Sequence, residues 1–350
     1  MPILSFAEAV HNATKYMMMY DARIHVLGLG ATYPNGLDGT MGNLAEKYPN
    51  RVHDTPCSEN AVTGMAVGMA VSGLKPLVHH GRIEFALHAM DQIITQSAKW
   101  NYMFGGNYQC PLTLRIAMGR QWGNGPQHTL TPKGLFAVPG LRVVCPSTPS
   151  SARLLLIAAL DDINPVIYLE SRWLYKIKET VTGGEDALLQ DTQSIYEPKI
   201  LKQGTDITIV AVADMVLEAL RAAELLKAVH INAEVIDIVS VYPLDMRAVL
   251  NSMRKTGHLI CVDASTPAYS IAHEIIARTG GFGTAITCPD IACPTAPSLT
   301  ADYYPTAETI ATCAVKKLDK NFVFPDIKSF SELNLPPTEN IDGLLGKGIV

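Results

Sequence analysis

One feature constrains this chain more than any other: short runs rich in β-branched residues alternate with longer stretches of helical apolar spacing. RIHVLGL, KPLVHH, PLTLRIA, LRVVCPS and PVIYLES are the runs of the first half, and DITIVAVA, AEVIDIVSV and HLICVDAS those of the second. Between them lie FALHAMDQIITQSAKWNYM, where Phe85, Ala89, Ile93, Ala98 and Trp100 share or border one apolar face, and MVLEALRAAELLKAV, with i, i+3, i+4 spacing. A parallel strand can be reached only by a crossover, so this alternation predicts an α/β fold of largely parallel sheets covered by helices.

At 350 residues the chain exceeds one ordinary core, and its periodicity lapses in TVTGGEDALLQDTQSIYEPKILKQGTD. Two domains are expected, at residues 1–180 and 205–320, with a linker at 181–204 and an extended tail at 321–350 that drapes over a neighbour. The formal charge is only -5 and no Lys/Arg run occurs, which argues against nucleic acid or an anionic membrane as partner. Small solutes and other proteins remain. Seven scattered cysteines without a CxxC pair indicate neither a disulfide framework nor a zinc site, and a reducing cytoplasm fits them. The first residues lack the regions of a secretion signal, and no apolar run approaches the roughly 20 residues of a spanning helix.

Within DTPCSENAVTGMAVGMAVSG, an acid stands at the head of a helix of small residues. Ala61, Gly64, Ala66, Gly68, Ala70 and Gly73 permit close backbone approach, although each interior glycine weakens a helix by about 0.5–1 kcal/mol relative to alanine. Glu59 at the helix start is favoured by the macrodipole by about 0.3–1 kcal/mol. Spacing alone leaves two readings open, an electrostatic cap and a functional carboxyl.

The stretches RVHDTPCSENAVTGMAVGMAVSGLKPLV, EFALHAMDQIITQSAKWNYMFGG, GPQHTLT, VPGLRVVCPSTP and DDINPVIYLESRWLY occur in that order. VIDIVSVYPLD, KTGHLICVD, PDIACPTAPSL and YYPTAE follow them, so the pattern covers roughly residues 3–318. It resembles the β-subunit of thiamine-diphosphate-dependent 2-oxo acid dehydrogenases, a branch of the transketolase superfamily. The resemblance implies a pyrimidine-binding domain followed by a transketolase C-terminal-like domain.

It also implies roles. Glu59 would hydrogen-bond the pyrimidine ring nitrogen of thiamine diphosphate, favour its imino tautomer and so promote deprotonation of the thiazolium carbon. Apolar surroundings of that carboxyl would tune the proton exchange. Phe85 would stack beside the aminopyrimidine, with Gly81 also at the cofactor, and His128 would face the substrate or the acyl-transfer step. Phe85 reads equally as a core ring, and His128 as a surface loop residue. A monovalent cation, potassium, is implied at Leu112, Ala159, Leu160, Asp162 and Asn164, where turn and capping roles for DDINP are as well founded.

The magnesium-diphosphate half of such a site, a GDG triplet with a later asparagine, is missing here, and GLDGTMGN only imitates it. The resemblance therefore implies an α-subunit that carries this motif and holds the magnesium, in an α2β2 assembly, with a lipoyl acyltransferase core as a further partner. The chain departs from the family pattern at Leu29 and Gly30, where an acidic pair is usual, and at VHHGRIEF. His79, His80 and Arg82 become candidates for the substrate pocket. Adjacent strand residues face opposite ways, so at most one of the two histidines can face the cofactor. Arg82 could grip a carboxylate or phosphate. The expected function is decarboxylation of a 2-oxo acid and acyl transfer to a lipoyl arm. A split transketolase or acyloin-forming carboligase, and a non-catalytic β-like subunit, are the alternatives.

Overall fold

A computed structural model describes residues 2–33, 36–120, 125–181, 192–300, 302–320, 322, 324 and 336–346. Its strands in chain order are β1 (Ile3–Ser5), β2 (Ile24–Gly28), β3 (Val52–Asp54), β4 (Lys75–His80), β5 (Thr113–Met118), β6 (Arg142–Val144) and β7 (Val166–Ser171). They continue with β8 (Lys178–Thr180), β9 (Lys199–Lys202), β10 (Ile207–Ala211), β11 (Ala233–Asp237), β12 (Ser240–Tyr242), β13 (Leu259–Val262) and β14 (Thr284–Ile286). Seven of them form one sheet in the order β12-β6-β7-β5-β4-β2-β3, and five form a second in the order β14-β13-β10-β11-β9. All pairings in the larger sheet are parallel except β12 with β6, and all in the smaller except β9 with β11. Two domains with largely parallel sheets are thus present.

Helices cover both faces of the larger sheet, which is why its central strands are buried throughout. Phe6–Tyr20 and Pro149–Asp161 pack together over one face, on Val26, Leu77 and Tyr168. Over the other face lies Glu59–Val71, with Val62, Ala66 and Ala70 against Val78 and Ile116. The amphipathic stretch after β4 is helical but not uniform: a turn at Ile83–Ala86 passes through a 3-10 segment into a π-helix, Asp91–Ser97, before Ala98–Met103. Ala89, Ile93 and Ala98 are buried as its spacing predicts, while Phe85 and Trp100 are half-buried.

Three segments differ from the sequence reading. AEVIDIVSV is two strands: β11 lies in the second sheet, and β12 crosses to the edge of the first, the chain turning at Val239, whose φ is 56°. Inside the expected linker, β9 pairs antiparallel with β11, which buries Leu201. Residues 336–346 of the expected tail fold back onto this chain. The backbone N–H of Lys178 donates to Glu339 O (2.8 Å), that of Ile341 donates to Lys178 O (2.9 Å), and Arg221 pairs with Glu339 at 2.8 Å. Ile341, 1% exposed, is the apolar anchor of this return.

Candidate active site

The carboxyl ends of parallel strands, where successive connections diverge, are where α/β sheets present ligand-binding residues. Glu59 follows β3, Gly81 to Phe85 follow β4, His128 follows β5, and Arg172 follows β7. All lie beyond one rim of the first sheet.

Glu59 opens the helix Glu59–Val71 and is half-exposed. The apolar enclosure expected around it is not supplied by the small residues of its own helix. The small residues face elsewhere: Ala66 and Ala70 point into the core, Gly64 lies against Gln92, and Ala61 and Gly68 are exposed.

Phe85 and His128 are brought together, their rings edge-on at 5.8 Å and 84°. The His128 loop is held on several sides. Arg82 Nη1 donates to His128 O at 3.0 Å, and Leu130 N donates to Glu84 Oε1 at 2.6 Å. A Cβ on Gly119 would stand 2.6 Å from Thr129 Cα and 2.7 Å from His128 O, so only glycine lets the loop lie this close to the end of β5. From the second domain, Ser265 donates to Thr131 O, Thr131 to Ala264 O, and the fully buried Asp263 pairs with Lys133 at 2.7 Å. Beside this seam, Leu87, Leu130 and Leu135 of the first domain face Tyr269, Ile291 and Tyr303 of the second across a cavity of about 500 Å³.

His79 and His80 are both buried and face opposite ways, as alternation along a strand requires. His80 Nε2 lies 3.0 Å from Thr63 Oγ1 on the Glu59 helix, and burial lowers its imidazole to about 4. His79 looks through the other face, 3.7 Å from Glu170 Oε1, and is held well below the usual histidine range by burial and then by Arg115. Neither is an open pocket-lining group.

Sequence reasoning passed over the polar cluster beside His79. Arg115 and Glu170 are fully buried and paired at 2.6 Å, and Arg115 Nη2 donates to Thr40 Oγ1 at 3.1 Å. Thr40 thereby ties down the preceding loop, whose Asp38 is ion-paired with Arg172. The available signal was a single charge in each of two apolar strands, TLRIAM and VIYLES, on the same face of adjacent strands. Asp38 belongs to GLDGTMGN, and its pairing with Arg172 gives that segment a role unrelated to a metal.

In the potassium set, Leu112 O accepts from Val166 N (2.9 Å), Ala159 O from Thr113 Oγ1 (3.0 Å), and Asp162 pairs with Arg142 (3.2 Å). Asn164 Oδ1 accepts from Asn101 (3.1 Å), and Leu160 is buried. Two of the backbone oxygens in this set are thus already accepting hydrogen bonds, and the Asp162 carboxylate faces a guanidinium.

Residues 4–178 match the family described as transketolase, pyrimidine binding domain, and 197–310 that described as transketolase, C-terminal domain. A β subunit of acetoin:2,6-dichlorophenolindophenol oxidoreductase from Cupriavidus necator is 36% identical over 90% of this chain and 97% of its own. A mitochondrial pyruvate dehydrogenase E1 β subunit from Saccharomyces cerevisiae is 36% identical over 79% of this chain and 75% of its own. The 2-oxoisovalerate dehydrogenase β subunit of Bacillus subtilis is 33% identical over 79% and 84%. The chain belongs to the E1 β-subunit family of 2-oxo acid dehydrogenases.

An E1 β subunit is one component of an enzyme that works with an α subunit, and its domain family is thiamine-diphosphate-dependent. A solved structure described as a split gene transketolase, inactive beta4 tetramer, shares the fold of this E1 β chain, with a TM-score of 0.73 at 20% identity over 90% of this chain and 99% of that one. No helix among the described residues is long and apolar enough to cross a membrane.

Proposed function

We propose that this E1 β subunit binds the aminopyrimidine side of thiamine diphosphate at Glu59, Phe85 and Gly81, and with an α subunit decarboxylates a 2-oxo acid. One observation carries the reading: a half-exposed carboxyl at a helix start shares the sheet rim with a half-exposed aromatic ring that touches the His128 imidazole. A flat heterocycle suits such a rim, because a Cβ on Gly81 would meet nothing within 4 Å and Phe85 leaves part of its ring uncovered.

When bound, the cofactor supplies an electron sink for loss of carbon dioxide. Glu59 would exchange a proton with the pyrimidine ring nitrogen. Phe85 would orient the ring, and His128 would sit at the substrate side, able to take or give a proton near neutrality. Arg82 acts on His128 through its backbone carbonyl. Magnesium and the diphosphate are assigned to the α subunit's GDG and asparagine motif, in an α2β2 complex that passes the acyl group to a lipoyl acyltransferase. A reducing cytoplasm belongs to the same proposal and is supported by seven unpaired cysteines.

Reconstitution with the α subunit, thiamine diphosphate and magnesium tests it. Carbon dioxide release from a 2-oxo acid coupled to reduction of lipoamide or a dye is expected. Turnover only in the presence of an aldehyde acceptor would replace this reading with carboligation.

A further inference from the structure

Two buried cations flank the His128 loop. Arg120 lies just past β5 with 1% exposure, and Lys133 opens the 3-10 turn Lys133–Phe136 with none. Both reach into the second domain. Lys133 Nζ donates to Asp263 Oδ1 at 2.7 Å, and Arg120 Nη1 donates to Asp214 Oδ2 at 3.2 Å. The Arg120 guanidinium also lies over the Trp173 ring, 3.8 Å from its centroid, and stands 3.7 Å from Glu218, itself held by Arg221 at 2.9 Å. Burial opposes the Lys133 charge, but Asp263 and then Asp214 outweigh it and hold the ammonium above its ordinary value.

The two acids stand at the carboxyl ends of neighbouring strands of the second sheet, Asp214 after β10 and Asp263 after β13. Such a rim is where an α/β sheet presents groups to a ligand, and here it receives a loop of the first domain. Asp214 begins the helix Met215–Ala228, where a carboxylate ordinarily caps the first turn; it makes no side-chain cap bond and turns to Arg120. Ala213, just before it, is left-handed at φ 54°, an uncommon conformation for alanine. Asp263 is committed through both oxygens, accepting also from Ser265 Oγ at 3.1 Å and Ile271 N at 2.9 Å. Ser265 in turn donates to Thr131 O, and Thr131 Oγ1 to Ala264 O. At the other end of the described loop, a Cβ on Gly125 would stand 2.9 Å from Thr295 Oγ1.

A buried ion pair is a poor device for merely joining two domains, because apolar side chains of similar volume often hold as well or better. What it adds is a fixed partner and a fixed direction. We propose that Lys133 and Arg120, seated in the second domain by Asp263, Ser265 and Asp214, are positioning residues that place His128 for the reaction. They act through the backbone of the loop and not on the imidazole. The second domain is then more than a companion to the pyrimidine-binding domain: the rim of its sheet sets the geometry of a group in the other domain's site. The inference rests on the reading of His128 as a group at the substrate side.

The test uses the complex reconstituted with the α subunit and takes His128→Gln as the reference background. Lys133→Met keeps the length of the side chain and removes its charge, and should lower kcat/KM for the 2-oxo acid by at least about tenfold. Ser265→Ala, which loses the bonds to Thr131 O and Asp263, should lower it by about threefold. In the His128→Gln background neither change should matter by more than about twofold, because misplacing a histidine costs nothing once it is gone. Losses that multiply in the double variants overturn the proposal, as does wild-type turnover by Lys133→Met. Hydrogen exchange gives a readout independent of turnover: the amides of residues 125–131 should exchange at least about tenfold faster in Lys133→Met, with those of β4 and β5 unchanged. A loop that exchanges as before, or a sheet that accelerates equally, shows a merely structural role and overturns it. Should Lys133→Met fail to assemble, Ser265→Ala carries both measurements under the same criteria. Wild-type turnover by His128→Gln itself would refute the functional reading of that histidine separately, and the exchange result would still show whether the second domain places the loop.

Discussion

His80 Nε2 and Thr63 Oγ1 lie 3.0 Å apart, joining the end of β4 to the helix that Glu59 opens, one turn beyond that carboxyl. The strand and the helix therefore move together, and the registration of Glu59 over the sheet depends on a buried neutral imidazole.

That imidazole sets a pH dependence. Burial lowers His80 from the usual 6.5 to about 4, so between these values the unfolded chain takes up the proton and the folded chain resists it. Stability is complete above about pH 6.5 and falls as pH drops toward 4, by on the order of 3 kcal/mol for this group. His80→Gln keeps a partner for Thr63 but does not titrate. Urea unfolding across that range should show a flatter pH slope for the variant; identical slopes would remove His80 as the cause.

Replacing the carboxyl at the rim should separate chemistry from folding. Glu59→Gln keeps size and polarity but cannot carry the proton, and general acid–base contributions of about 10²–10⁴-fold are typical. A loss of at least 100-fold in kcat, with an unchanged circular dichroism spectrum, is expected of the reconstituted enzyme. Wild-type turnover by this variant would leave Glu59 a helix cap and nothing more.

The loop of His128 offers a steric test. In Gly119→Ala the new methyl would meet backbone atoms at 2.6 and 2.7 Å, and neither can rotate away. Overpacking of this kind costs about 1–3 kcal/mol, and displacing a group at the reacting centre by about 1 Å can cost 100-fold in rate. The variant should fold, unfold at lower urea, and lose most of its turnover. Full activity would show that the loop position is immaterial.

The buried ion pair under the rim should behave unlike a surface one. Glu170→Gln leaves the Arg115 guanidinium, with no exposure, short of its counter-charge, at a cost of about 3–5 kcal/mol. The double variant Arg115→Met, Glu170→Gln should cost less than the sum of the single changes, which a double-mutant cycle in urea would reveal. Strict additivity would mean the two groups do not interact.

Much of this was legible from residues alone, for physical reasons that also explain what was missed. KPLVHH and PVIYLES are buried on both faces, and their apolar centres, Leu77–Val78 and Val166–Leu169, mark such strands in the sequence. Glu59 was visible because an acid ahead of a small-residue helix is locally odd. AEVIDIVSV hid its division because the reversal at Val239 is a tertiary event imposed on a residue whose own preference is to stay extended. The Arg172 to Asp38 pair spans far too much sequence for any local period to register, and only the meeting of strand ends makes it.

A last consequence follows from β12. Although it comes after the second domain's own β11, it is hydrogen-bonded to β6 in the first domain's sheet. The covalent joint between the two halves and their mechanical joint are therefore different places. A protease that severed the backbone between Val181 and Lys199 would produce two fragments on a denaturing gel but one particle on a sizing column, since the later fragment remains laced into the earlier one by a strand of its own.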